Sequence, residues 1–158
     1  MLNRSFSNRF NNKELQYSNK NILFILTILE SIEKVQIYSQ PYTSADEMFK
    51  SNEQLTYNAV CHLLLAIGEE SKKIEDTLKE EVAIVSWDAI TGLRNRLAHD
   101  YRGIDANLVY HIATNELEPL KQACISLLKI VGIQKADLNK LVQTFWYRHL
   151  GYLNNLIK

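Results

Sequence analysis

Residues 21–38 read NILFILTILESIEKVQIY, and within them Ile22, Ile25, Leu26, Leu29 and Ile32 recur at spacings of three and four. That is the period of one face of an α-helix. Ser18 or Asn19 suits the N-cap, and Pro41 ends the helix because the residue before a proline is pushed out of helical geometry. The same period governs the rest of the chain. Strand-type alternation is sustained nowhere, and five glycines and two prolines are all the punctuation in 158 residues. The chain is predicted to be all-α.

A second helix is expected over residues 52–80, burying Leu55, Ala59, Leu63, Ala66, Ile67 and Ile74, with Lys72, Lys73, Glu75, Lys79 and Glu80 facing water. A third starts behind Ser86, an N-cap hydroxyl, with Asp88 near the positive end of the dipole, and fades near Gly103. The fourth, capped by Asp105 and closed by Gly132, buries Leu108, Ile112, Leu117, Leu120, Cys124 and Leu127 and is bent by Pro119. A last helix over 135–157 carries Leu138, Leu141, Val142, Phe145, Trp146, Leu150, Leu153 and Leu156. Its apolar arc is too wide for the surface helix of one small bundle, so part of it is expected to meet another chain.

These elements predict an up-and-down four-helix bundle with an additional C-terminal helix. Three regions follow: a polar arm over 1–20, mobile until about Ser18; a helical domain over 21–132; and a C-terminal helix over 133–158, packed on the bundle or at an interface. The size is that of one domain.

Eighteen basic residues balance eighteen acidic ones. This excludes a nucleic-acid coat protein that binds by high net charge, so any nucleic acid must be held locally. Cys61 and Cys124 each lie in an apolar helical stretch, which reads as two small core hydrophobes in a reducing compartment. The longest apolar run, residues 22–29, is far too short to span a bilayer and stands too late for a signal peptide. A cytoplasmic protein is expected, without a membrane partner. His62, flanked by Cys61 and Leu63, reads as a core or boundary residue, and His111 and His149 lack partners at ligand spacing, so no metal site is assigned.

The chemistry concentrates in residues 87–105, WDAITGLRNRLAHDYRGID. Arg94, Arg96, His99, Tyr101 and Arg102 fall within nine residues, with Asp100 the only counter-charge. That is a local anion site, against the plain reading of a solvated helix end whose basic residues suit the dipole. The pattern Arg, four residues, His, one residue, Tyr occurs once, at Arg94, His99 and Tyr101. A shuffled chain of this composition shows it about 0.008 times. On a regular helix, at about 100° per residue, Arg94 and Tyr101 fall within about 20° of each other while Arg94 and His99 diverge by about 140°. Either the helix loosens near His99 or a two-fold partner supplies the missing group.

With this motif the chain resembles the HepT-like toxins of the HEPN superfamily, small helical ribonucleases defined by Arg-x4-His-x-Tyr. The resemblance covers about residues 21–130 and includes Ile67-Gly68-Glu69-Glu70, Trp87, Ile90, Gly92, Asn95 and Gly103-Ile104-Asp105. It implies a bundle of HEPN type and a homodimer whose cleft brings both motifs together. It also implies metal-independent endoribonuclease activity in a toxin–antitoxin system, with no cofactor. The cognate antitoxin implied is a minimal nucleotidyltransferase (MntA-like) that attaches AMP to the motif tyrosine, here Tyr101.

The residue types suit that chemistry. Histidine exchanges protons near neutrality, which makes His99 the candidate acid or base at the ribose 2′-OH and the leaving 5′-oxygen. Arg94 offers a permanent, bidentate donor for the phosphoryl oxygens, and Arg96 and Arg102 steer flanking phosphates. Tyr101 bonds the phosphate or stacks on a base, and AMP there competes with RNA for the same arginines. Asn95 orients His99 or a phosphate, or is a polar residue on an exposed turn. Glu69 pairs with Arg94 or Arg96, or is an ordinary surface carboxylate. Gly92 is expected to permit close helix approach. Two other readings compete: a noncatalytic helical partner that holds a nucleotidyltransferase's nucleotide, and a purely structural dimer built on Trp87 and Phe145-Trp146-Tyr147.

Overall fold

A computed structural model describes residues 17–157, and among them the regular structure is helical throughout, without a strand. The expected arm over 1–20 lies, up to residue 16, outside the described residues. Helix α1 (Lys20–Ser39) matches the expected first helix and is buried on most of its circumference. Helices α2 (Ala45–Lys50), α3 (Leu55–Lys73), α4 (Asp76–Glu80) and α5 (Trp87–His99) follow. After them come α6 (Ala106–His111), α7 (Leu117–Val131), α8 (Lys135–Val142) and α9 (Leu153–Leu156). Helix α3 packs against α1 and α5, α1 packs in turn on α7, and α2 packs on α6. The bundle is therefore the all-α arrangement expected, with α1 at its centre.

The differences from expectation have local causes. Helix α2 was not foreseen, although Ser44 and Glu47 spell a capping pattern: Ser44 Oγ accepts from Glu47 N–H at 3.2 Å, and the Glu47 carboxylate accepts from Thr43 N–H at 2.8 Å. The second helix begins at Leu55 rather than residue 52 because Asn52, Glu53 and Gln54 all take left-handed φ values of 45°, 52° and 67°. It is also interrupted at Ile74 and Glu75, which are extended. There the Asn21 side chain, from the first turn of α1, accepts from Glu75 N–H at 3.1 Å and donates to the Glu75 carboxylate at 3.0 Å. Those tertiary bonds replace a turn of helix and leave Ile74 and Leu78 buried.

Between α6 and α7 the ladder widens into a π turn over Ile112–Glu116. Pro119 has no N–H for the Asn115 carbonyl and its ring would press on it, and the wider turn upstream relieves that clash. Gly132 ends α7 in the left-handed region at φ 77°, as its position predicts.

The single helix expected over 135–157 is broken. Helix α8 stops at Val142, Thr144 Oγ turns back to the Leu141 carbonyl at 2.7 Å, and the chain then folds onto α1. Leu138, Leu141, Val142, Leu150, Leu153 and Ile157 are buried by the return, while Phe145 and Trp146 stay exposed. An apolar arc too wide for one straight helix is thus divided between two directions of chain.

Candidate functional site

Helix α5 carries the motif, and its start is fixed locally: Ser86 Oγ accepts from Ala89 N–H at 3.2 Å, and Asp88 lies in the first turn. Leu97 is its only fully buried residue, so α5 is held by one face against α3 and presents the rest. The close contact with α3 occurs at Gly68. A Cβ there would overlap the Arg94 Cβ and come within 2.9 Å of its Cγ. Gly92, given this role from sequence, has nothing within 4 Å of its Cβ position and stands exposed. A glycine inside a helical pattern is unfavourable by about 1 kcal/mol relative to alanine, a signal that Gly68 and Gly92 share and that does not separate them.

The approach sets Glu69 of α3 on Arg94. The Glu69 carboxylate pairs with Arg94 Nε, and Arg94 Nη1 donates to Asn95 Oδ1 at 2.8 Å. The neighbouring Glu70 is engaged by Lys73 at 2.6 Å instead. Arg94 keeps 22% of its side-chain surface, enough for an anion to reach it. Of the two pairings proposed for Glu69, the one with Arg94 is present.

Helix α5 remains regular to His99, so Arg94 and His99 are about 140° apart around its axis. The loosening comes one residue later, at Asp100 (φ −139°, ψ 56°), and Tyr101–Gly103 forms a 3-10 turn. Tyr101 therefore does not continue the helix, and the expected alignment with Arg94 within 20° does not hold. Its side chain lies outside what the structure describes. Asn95, Arg96, His99 and Arg102 are exposed.

That turn is firmly braced. Asp100 Oδ1 accepts from Gly103 N–H at 3.2 Å, and its carboxylate occupies the space a Cβ on residue 103 would need. Ile104 is buried, its carbonyl accepts from Tyr57 Oη at 3.4 Å, and Asp105 Oδ1 caps α6 through Asn107 N–H at 2.9 Å. One chain thus assembles Arg94, Glu69 and Asn95 as a unit and holds His99 and the Tyr101 backbone at the adjacent helix end.

Beside α5 runs an apolar groove of about 450 Å³, walled by Val85, Ile90, Leu93, Leu108 and Ile112 and rimmed by the exposed Ile84. His111 borders it and pairs with Glu116 at 2.9 Å, a partner not foreseen from spacing. His62 is exposed rather than packed. Cys61 and Cys124 are buried, as expected. Burial pushes the Cys61 thiol up to about 11, a hydrogen bond with Tyr57 partly opposing it, and raises Cys124 as well, so both stay protonated thiols. Among the described residues no three His, Cys, Asp or Glu side chains gather as a metal site, and no helix is long and apolar enough to cross a membrane.

Comparison with known proteins reaches the same helices. The family described as "Ribonuclease HepT-like" matches residues 28–127, from the middle of α1 into α7. Two proteins of Methanocaldococcus jannaschii, both bearing the name "Putative RNase", are similar. One is 33% identical over 99 residues, covering 63% of this chain and 88% of the relative. The other is 29% identical over 118 residues, covering 75% and 93%. A Thermococcus cleftensis protein named "Probable ribonuclease HepT" is 26% identical over 98 residues, covering 62% and 86%. No solved structure matches.

Proposed function

The chain belongs to the HepT-like ribonuclease family, and from that premise we propose that it is the toxin of a toxin–antitoxin pair, an endoribonuclease acting as a homodimer without a metal. The observation that carries the reading is the Glu69–Arg94–Asn95 unit, which fixes a cation at an accessible edge of α5 within the Arg-x4-His-x-Tyr pattern. In the reaction, His99 takes the proton of a ribose 2′-OH. The 2′-oxygen attacks the adjacent phosphorus, and Arg94 stabilises the charge of the pentacoordinate intermediate. The 5′-oxygen then leaves with a proton from the second His99. The products are a 2′,3′-cyclic phosphate and a 5′-OH.

The two-fold partner answers the 140° separation, because an isologous dimer gives the cleft two copies of each residue. The apolar groove beside α5 supports that pairing, since two copies meeting there cover side chains the monomer leaves wet. Arg96 and Arg102 hold flanking phosphates. Tyr101 is the phosphate contact and the position at which an MntA-like nucleotidyltransferase adds AMP, filling the cleft with bulk and negative charge. A cytoplasmic location accords with two protonated, unpaired thiols.

The test compares unmodified protein with His99→Ala on a mixed RNA pool in excess EDTA, resolving end groups. Cleavage by the parent alone, about 10²–10⁴-fold above the variant, with cyclic phosphate ends, is expected. A dimer that lacks AMP on Tyr101 by intact mass and cuts nothing would overturn the reading in favour of a nucleotide-holding partner module.

A further inference from the structure

The basic charge of this chain is distributed unevenly. Residues 21–132, which hold the family match, carry ten basic against sixteen acidic residues, whereas 133–158 carry Lys135, Lys140, Arg148 and Lys158 against Asp137 alone. An RNase whose body is net negative repels its substrate except where cations gather. Beyond the α5 motif, residues 133–158 are one segment with an excess of basic residues, and residues 1–20, with Arg4, Arg9, Lys13 and Lys20 against Glu14, are another.

The return turns two large rings outward. Tyr147 is tied inward, its hydroxyl 3.2 Å from Thr27 Oγ on α1, and Leu150 and Leu153 are fully buried, which leaves Phe145 and Trp146 at 74% and 62% exposure. Both are attended by cations. The Arg148 guanidinium lies 4.5 Å from the Phe145 ring centroid, and Lys34 Nζ lies 5.9 Å from that of Trp146. Lys34 is anchored by Glu30 beneath it, and no ion pair engages Arg148 among the described residues. Two exposed rings, one of them beside a guanidinium that no ion pair engages, suit nucleobases, which stack on the open ring faces while Arg148 takes a flanking phosphate. A protein-binding knob would be served equally well by neutral or acidic neighbours.

We infer that the Phe145–Trp146–Arg148 knuckle, with Lys34 beside it, is a stacking platform for single-stranded RNA, separate from the α5 site, its two rings and Arg148 lying outside the family-matched residues. The platform grips RNA without regard to sequence and raises its local concentration at the cleft. This inference rests on the ribonuclease reading for its meaning but not for its test.

The experiment uses the full chain carrying Trp87→Phe, which leaves Trp146 as its one tryptophan. It is titrated with a single-stranded oligoribonucleotide whose 2′-hydroxyls are methylated, so that it cannot be cleaved. Saturable quenching of Trp146 is expected, about tenfold weaker in affinity for Phe145→Ala or Arg148→Ala and weakened further by salt. If Trp87→Phe fails to fold, the difference in quenching between parent and Trp146→Phe gives the same reading. In cleavage assays Trp146→Ala should raise KM about tenfold and leave kcat unchanged.

Cleavage by the parent without quenching by the oligonucleotide would overturn the platform and leave the ribonuclease standing. Quenching without cleavage would do the reverse, and neither would remove both. Dissociation of the dimer by Trp146→Ala, with RNA affinity intact, would also overturn it and assign the rings to self-association.

Discussion

Helices α1 and α5 differ in how much of each is held. Eleven of the twenty residues of α1 are buried, and Ile25, Leu26, Ile28, Leu29 and Ile32 are sealed completely between α3, α7 and the C-terminal return. Only Leu97 is buried in the thirteen residues of α5. A helix clamped on most of its circumference supports the domain, and one clamped on a single face presents what lies on the others. The charged motif is on the second kind. Substitutions on α1 should therefore be read in stability, and those on the open face of α5 in chemistry.

The largest stability effect should come from Leu29→Ala, which empties a fully buried site at the centre of the bundle. A loss of about 2–5 kcal/mol is expected in urea unfolding, with the denaturant slope unchanged. A loss below about 1 kcal/mol would show that α1 relaxes to fill the space and is not the clamped element.

Gly68→Ala attacks the one face by which α5 is held. The new methyl overlaps Arg94 Cβ, so α5 must shift away from α3, at a cost of about 1–3 kcal/mol for overpacking. The same shift pulls Arg94 from Glu69, and RNA cleavage should fall by more than the folded fraction accounts for. Full cleavage at reduced stability would separate the Gly68 contact from the site.

How much of this was legible in the sequence follows the same division. The stripe of α1 was plain because clamped helices select apolar residues at a strict period. Glu69 beside Arg94 was one of two stated pairings, and the structure shows it. Gly68 was read as a mark of resemblance only, and the close approach was assigned to Gly92, because sequence does not reveal which glycine faces a neighbouring helix. The break at Ile74 depends on Asn21, fifty-four residues from Glu75, and no local pattern reports a bond of that reach. The C-terminal helix failed for a related reason: its period is helical, but burial of Leu150 and Leu153 on α1 outweighs continuing the ladder. The alignment of Tyr101 with Arg94 assumed a helix that ends at His99.

A smaller effect tests whether the start of α5 depends on its own cap. Ser86→Ala removes the acceptor for Ala89 N–H, and the loss should be the usual value of about 1 kcal/mol. Amide exchange should accelerate at Ala89 and Ile90 and not at Leu97. Uniform acceleration along α5 would mean that the helix opens as one unit.

His99→Ala should have the smallest stability effect of all. The residue is exposed at the last position of α5, the following turn is braced by Asp100, Gly103 and the buried Ile104, and alanine is the better helix former. The unfolding midpoint should therefore move by no more than about 0.5 kcal/mol in either direction. Paired with the cleavage assay, that null result makes the activity comparison interpretable, since lost activity cannot then be lost fold. A stability loss of about 2 kcal/mol would place His99 among the structural residues, and α5 would no longer differ from α1 in kind.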